Sequence, residues 1–425
     1  MNQRIFFDWD QERDAYQIQQ IVQQHKLPLI GPRVVGPEGF FLPPYYTYIL
    51  TPFYLASHLH PSALIPFLIT ANALFFLVAA YVLCSIWSIP FALPVLLFLS
   101  TNFLQAGYDI IAWNPLFIPL SIFLTLFSLY RIHTYHLSRD LVLLGLLIGL
   151  SLSFHFQYVF LLPLIGIVLL RAYKKGKHKL TAFLIVIGAF LITLLPLFIF
   201  DVRHQFINTK LLLSFFTKHS EAKDIFAWIP VFTNSLEPLT IIKNTALTWV
   251  LYGGTLCASI FLAFRLKGFQ KSLFIGMSAI YVIFPLCFAF YGKRPSEYYF
   301  MFYYPLFYLT LVEIFFTTKQ YLILVVISSV LIVLNFQTSM SRLQTSGYTL
   351  SQKIQAVQQI KTLMNGQKHQ LGFSFPPGRE DGFHYLIEYY QLPVAKEPEY
   401  PFIGINNPPK TGDIVVGPYG IYKAK

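Results

Sequence analysis

Of the 425 residues, 55% are hydrophobic and only 12% are charged, where a soluble chain carries roughly a quarter. That excludes an ordinary soluble protein. The net charge of +12 does not point to nucleic acid, because the positive residues sit in short loops between apolar runs, where membrane topology puts them.

The first element in the chain is the most charged short stretch near the apolar body, Asp8, Trp9, Asp10, Gln11, Glu12, Arg13 and Asp14. A helix starting near Asp10 places Ala15, Ile18, Ile21 and Val22 on one apolar arc, with Asp14 inside it and Asp10 at its edge. Glu12 is expected on the opposite, polar side with Gln19 and Gln23. A carboxylate facing a partly desolvated cavity is a natural general base, since desolvation raises its pKa; an Asp that merely caps the helix is the plainer reading.

Between Gly39 and Tyr108 there is no Asp, Glu, Lys or Arg, and long charge-free runs recur downstream, each long enough to cross a bilayer. Ten membrane segments are predicted, near 64 to 86, 89 to 105, 114 to 131, 140 to 152, 157 to 170, 180 to 200, 246 to 264, 272 to 291, 301 to 317 and 321 to 337. Ser151, Ser153, His155 and Gln157 break the stretch from 140 to 170 into two short helices. Two passes there put Arg131 and Arg139 on the same face as Arg171, Lys174, Lys175, Lys177 and Lys179, joined by Arg265, Lys267, Lys271 and Lys319. By the positive-inside rule that face is cytoplasmic. Residues 1–60, the 201 to 245 loop, the 292 to 300 loop and everything after 338 are then extracytoplasmic. A polar N-terminus on that side calls for one more transmembrane helix upstream, eleven in the full protein.

Polar residues return after the last apolar run, so the predicted organisation is a first extracytoplasmic loop (1–60), a transmembrane helical domain (61–340) and a small extracytoplasmic α/β domain (341–425). In the last, Ile354, Val357, Ile360 and Met364 recur at helical spacing with Gly366 as C-cap, and 370 to 375 and 413 to 416 read as strands. Cys84, Cys257 and Cys287 lie inside apolar runs and behave as small hydrophobes. No Walker loop, zinc spacing or glycine-rich phosphate cradle occurs, so no cofactor is expected, and a divalent ion bridging Asp10 and a phosphate has no supporting motif.

Downstream of the acidic stretch come Pro43, Pro44, Tyr45, Tyr46, Thr47 and Tyr48. This order, an acidic motif, about thirty loop residues and an aromatic Pro-Pro-Tyr stretch, resembles the first extracytoplasmic loop of the GT-C membrane glycosyltransferases. In particular it resembles the protein mannosyltransferase and lipid A aminoarabinose transferase group, family 39 in type. Asp10 falls on that group's catalytic aspartate, Gln11 on its Glu, Arg13 on its Arg and Ala15 on its Ala. Asp14 replaces an aromatic residue, and Leu42 stands where those enzymes carry a phosphate-contacting lysine. The polar break near His155, the Phe200, Asp201, Arg203, His204 junction and the Tyr298, Tyr299, Tyr303, Tyr304, Pro305 opening extend the likeness over residues 1 to 340.

The resemblance implies an all-α polytopic GT-C fold and inverting transfer of a sugar from a polyprenyl-phosphate donor lipid to an extracytoplasmic acceptor. It implies Asp10, with Asp14, as the catalytic carboxylates. The leaving phosphate needs fixed cations, for which Arg13, Arg33, Arg203, His204, Lys293 and Arg294 lie on the required face, Arg13, Arg203, His204 and Arg294 foremost. Tyr45, Tyr46, His155 and Tyr299 are the candidates to contact substrate, although interfacial aromatic belts are the commoner use of such tyrosines. A transporter or flippase of lipid-linked saccharide is the alternative; it would carry inverted repeats and midplane ionisable groups, which this sequence lacks.

Overall fold

The computed structural model describes residues 5–34, 39–173, 177–217, 224–240, 244–291, 294–345, 348–376 and 380–423. The chain opens with α1 (Trp9–Gln24) and α2 (Tyr45–Ala56), then α3 (Leu64–Ile86), α4 (Ile89–Thr101), α5 (Phe103–Tyr108), α6 (Ile118–Tyr135), α7 (Ser138–Phe154) and α8 (Leu162–Ala172). Helices α9 (Lys177–Thr193), α10 (Leu195–Arg203), α11 (Ile207–Thr217), α12 (Ile229–Ser235) and α13 (Glu237–Thr240) lead to four long ones, α14 (Thr245–Arg265), α15 (Gly268–Tyr291), α16 (Tyr303–Thr317) and α17 (Tyr321–Thr345). The C-terminal part holds α18 (Leu350–Met364), β1 (Gln370–Ser374), α19 (Phe383–Tyr389), β2 (Phe402–Asn406), β3 (Ile414–Val416) and β4 (Tyr419–Lys423).

Proline marks many of the helix starts. Pro90, Pro119, Pro163, Pro196 and Pro230 occupy the first turns of α4, α6, α8, α10 and α12, where the missing N–H costs nothing and the fixed φ suits the helix. Pro196 also explains why α9 and α10 meet at 55°: it cannot donate back to the preceding turn, so the ladder breaks. Close helix packing comes from small residues. A Cβ on Gly145 or Gly149 of α7 would collide with the Val186 carbonyl or the Thr193 hydroxyl of α9, so this glycine pair lets the two backbones approach.

Six helices among the described residues are long and apolar enough to cross a membrane, and the bent α9–α10 pair makes a seventh. The protein is an integral membrane protein. The Ile89–Thr101 and Phe156–Ala172 helices, both expected to span, are shorter. The expected break at His155 is present, since α7 ends at Phe154 and a 3₁₀ turn begins at Phe156. The segment read as a long outer loop from 201 carries α11, α12 and α13.

In the C-terminal part a four-stranded sheet runs in the order β1-β2-β4-β3. Strands β1 and β2 are parallel, with Gly372 opposite Gly404, and the other pairs are antiparallel. The predicted helix is α18, closed by Asn365 in the left-handed region (φ 46°) one residue before the expected Gly366. Two of the four strands were expected; β2 and β4 were not, because Gly404 and Gly420 interrupt the apolar alternation that identifies a strand.

Candidate active site

Helix α1 starts where the sequence analysis puts it, with Asp8 as N-cap. Gln11 Oε1 accepts the Asp8 N–H (3.0 Å), and Gln11 Nε2 donates to the carbonyl of Ala112 (2.8 Å). The second bond needs a donor, so an amide serves here where the resembling enzymes carry Glu. Ala15 and Ile18 are buried on the inner side as expected, and Asp14 with them.

Arg13 lies between the two candidate carboxylates. Its Nη1 donates to Asp10 Oδ1 (2.7 Å), and its Nε and Nη2 both donate to Asp14 Oδ1 (2.9 and 2.7 Å). Three of its five N–H donors are thus used on its own neighbours. The side chain of Asp14 is 0% exposed and that of Asp10 is 40% exposed, so Asp10 is the carboxylate a substrate can reach. Asp14 Oδ2 has no hydrogen-bond partner among the described residues. Burial pushes the Asp14 carboxyl up to about 6; the Arg13 charge pulls against this and Asp10 adds to it. Tyr46 of α2 is buried, and its hydroxyl has no hydrogen-bond partner among the described residues. Burial and then the Asp14 charge hold that phenol well above its ordinary range.

The expected orientation of Glu12 is overturned. Instead of facing solvent it is buried, and its Oε1 accepts the Tyr385 N–H of α19 (2.7 Å). The helical phase is as predicted; what covers that side is the C-terminal part of the chain, which periodicity in α1 cannot reveal.

The other predicted residues fall into three groups. His155 caps the 3₁₀ turn by accepting the Gln157 N–H (3.2 Å), and its ring meets Tyr298 and Tyr299 edge-on at 5.4 and 4.9 Å. Tyr298 also packs on Trp113 (4.7 Å), the neighbour of the Ala112 that holds Gln11, so His155 and Tyr299 belong to the wall beside the head of α1. Tyr45 turns away and donates to the Thr193 carbonyl (2.8 Å). Arg203 and His204 sit exposed at the α10–α11 turn, His204 stacked on Phe200 at 4.2 Å. That turn holds the first loop, since Asn208 Oδ1 accepts the Phe41 N–H (2.6 Å) and Phe41 packs on Phe200. Arg33 lies over the Phe41 ring, Arg294 is exposed, and Lys293 lies outside the described residues. Leu42, at the place of a family lysine, is buried with Val34 and Phe40.

Asp109 was missed. It is partly buried in the turn that carries Ala112, its carboxylate accepts from Gln105 Nε2 (2.5 Å), and burial pushes it up to about 7. The signal was its position as the lone acid closing a charge-free run that starts at Gly39. A cavity of about 260 Å³ opens beside this turn, lined by Phe6, Leu104, Tyr108, Ile111, Glu297 and Arg342 among others. Among the described residues no cluster of three His, Cys, Asp or Glu side chains could hold a metal ion.

No protein-family model and no curated protein matches this chain by sequence. Structure gives a different result. ArnT from Cupriavidus metallidurans in the apo state superposes with a TM-score of 0.61 at 11% identity, over 99% of this chain and 94% of that one. The chain has the fold of ArnT. A second ArnT structure, bound to undecaprenyl phosphate, gives a TM-score of 0.62 at the same identity and coverage. An oligosaccharyltransferase from Archaeoglobus fulgidus gives 0.49 at 14% identity, over 94% of this chain and 55% of that one. The superposition covers 99% of this chain, so the likeness extends past the residue 340 to which the sequence motifs carried it.

Proposed function

We propose that this protein is a membrane glycosyltransferase that moves a sugar from a polyprenyl-phosphate-linked donor to an acceptor on the extracytoplasmic face of the plasma (inner) membrane. The observation that carries the reading is the Asp10, Arg13, Asp14 group at the head of α1, in a chain with the ArnT fold throughout. The neighbour bound to undecaprenyl phosphate supports a lipid donor of that class.

The reaction is a single displacement with inversion. The acceptor oxygen or nitrogen bonds to the anomeric carbon as the bond from that carbon to the phosphate oxygen breaks. Asp10 takes the acceptor's proton, an assistance worth roughly 10²- to 10⁴-fold, and polyprenyl phosphate leaves as the anion. Arg13 is committed to the two carboxylates, and the group as a whole is negative. Charge on the leaving phosphate is therefore assigned to Arg203, His204 and Arg294, which are exposed. Tyr46 and His155, both buried, are left as wall rather than contact residues, and the half-buried Tyr299 beside His155 supplies aromatic surface for the sugar. The chemistry calls on side chains alone.

The test is release of free polyprenyl phosphate from a panel of polyprenyl-phosphate sugars by the purified full-length protein, with membrane extract as acceptor. Release with one sugar, abolished in Asp10→Asn, is the expected result. Turnover of no donor, with labelled lipid crossing the bilayer of reconstituted vesicles, replaces this reading by a flippase.

A further inference from the structure

The C-terminal part of the chain is tied directly to the base of α1. Phe6 pairs with Thr349 in an antiparallel bridge, and the Leu350 N–H donates to the Ile5 carbonyl (2.7 Å). One turn into α18, Lys353 is wholly buried. Its ammonium donates to the Phe7 carbonyl (2.7 Å), to Asp8 Oδ1 (2.5 Å) and to the Asp381 carbonyl (2.5 Å), which accounts for all three of its N–H bonds. Asp8 is the N-cap of α1, two residues from Asp10. Gly382, at φ 87°, makes the approach possible, because a Cβ there would collide with the Phe7 carbonyl and stand 3.0 Å from Lys353 Nζ.

A second tie lies one turn along α1. Buried Glu12 accepts the Tyr385 N–H. The Tyr385 ring packs on Phe7 and Tyr16 (6.0 and 5.2 Å), and its hydroxyl donates to the Leu59 carbonyl between α2 and α3 (2.7 Å). A buried ammonium adds little to stability over an apolar residue of similar size. What it adds here is placement: three acceptors in fixed directions set where α1 begins, and Glu12 sets its rotation.

We infer that Lys353 is a positioning residue for the transfer reaction, holding α1 through Asp8 so that Asp10, oriented by Arg13, meets the acceptor only while the C-terminal domain is docked. This rests on the glycosyltransferase reading above. It makes that domain a working part of the active centre, through a residue in a helix with no group in the reaction itself.

The experiment uses the full-length protein in lipid nanodiscs, comparing wild type with Lys353→Met, Glu12→Ala and Asp8→Asn/Lys353→Met. Three quantities are read: turnover of the donor identified above, stoichiometry of bound undecaprenyl phosphate, and hydrogen exchange of the α1 amides. Expected for Lys353→Met is a fall in turnover of up to about 10²-fold, the effect of an ångström-scale misplacement, with lipid stoichiometry unchanged. Exchange should quicken over residues 9–16 but not in α3 or α6, and the double variant should be no worse than Lys353→Met alone. A merely structural lysine would lower stoichiometry and turnover together, and that result overturns the inference. So does wild-type turnover in Lys353→Met, or in Glu12→Ala should Lys353→Met fail to fold. If the wild type turns over no donor, the functional reading fails by itself, and unchanged α1 exchange in Lys353→Met separately refutes the tie.

Discussion

Two places in the molecule, the head of α1 and the turn between α10 and α11, contain a buried aspartate beside basic residues, and they treat it in opposite ways. Asp201 accepts the Asn208 N–H on one oxygen (2.7 Å) and both the N–H and hydroxyl of Thr209 on the other (3.0 and 2.6 Å). Its neighbours Arg203 and His204 are left to solvent. Asp14 receives Arg13 on one oxygen only, and its other oxygen is sealed in without a partner among the described residues. A saturated carboxylate closes a turn. A half-satisfied one beside a reachable second carboxylate holds the kind of unspent polarity that active sites keep.

The largest expected effect is on Asp10. Asp10→Asn should lower transfer by roughly 10²-fold or more, checked by release of polyprenyl phosphate, while the variant keeps the wild-type melting temperature. Next is Arg13→Met, which leaves Asp14 buried and unpaired; a loss of about 3 kcal/mol in stability is expected, from the cost of removing one partner of a buried pair, read as a lower melting temperature in detergent.

The third prediction concerns pH. Burial raises the Asp14 carboxyl to about 6, so the folded protein binds that proton more tightly than the unfolded chain does. As pH falls through 6, this group's contribution to stability should therefore grow while transfer, which needs the anionic pair, declines. Melting curves and rates measured together should diverge below pH 6 in the wild type, and Asp14→Asn should remove its share of the divergence. Smaller still is Asp201→Asn, expected to cost about 2 kcal/mol of stability, as for hydrogen bonds to a charged group, with turnover per folded molecule unchanged. The smallest is Arg203→Ala, an exposed site where stability should shift by no more than about 0.5 kcal/mol. Its effect should be a higher KM for the donor that fades with added salt.

Much of this was legible in the sequence because membrane helices announce themselves by the absence of charge, and α1 by its period. Asp10 at the edge of the apolar arc and Asp14 inside it both hold in the structure. Glu12 failed because the partner that buries it, Tyr385, lies 373 residues away, and an amphipathic pattern reports only that one side is polar. Asp109 failed for a related reason: a single acid in an apolar run carries no spacing to read, and its meaning comes from Gln11 reaching the same turn at Ala112. Leu42 was legible only as a departure, which the structure explains by its burial with Val34 and Phe40.

The measurement that tests the account most directly is release of polyprenyl phosphate by Asp10→Asn and Asp201→Asn side by side, each normalised to folded protein. The account predicts that the Asp10 variant is inactive and the Asp201 variant turns over at the wild-type rate. Equal loss in both, or loss in Asp201→Asn alone, would contradict the assignment of the chemistry to the head of α1.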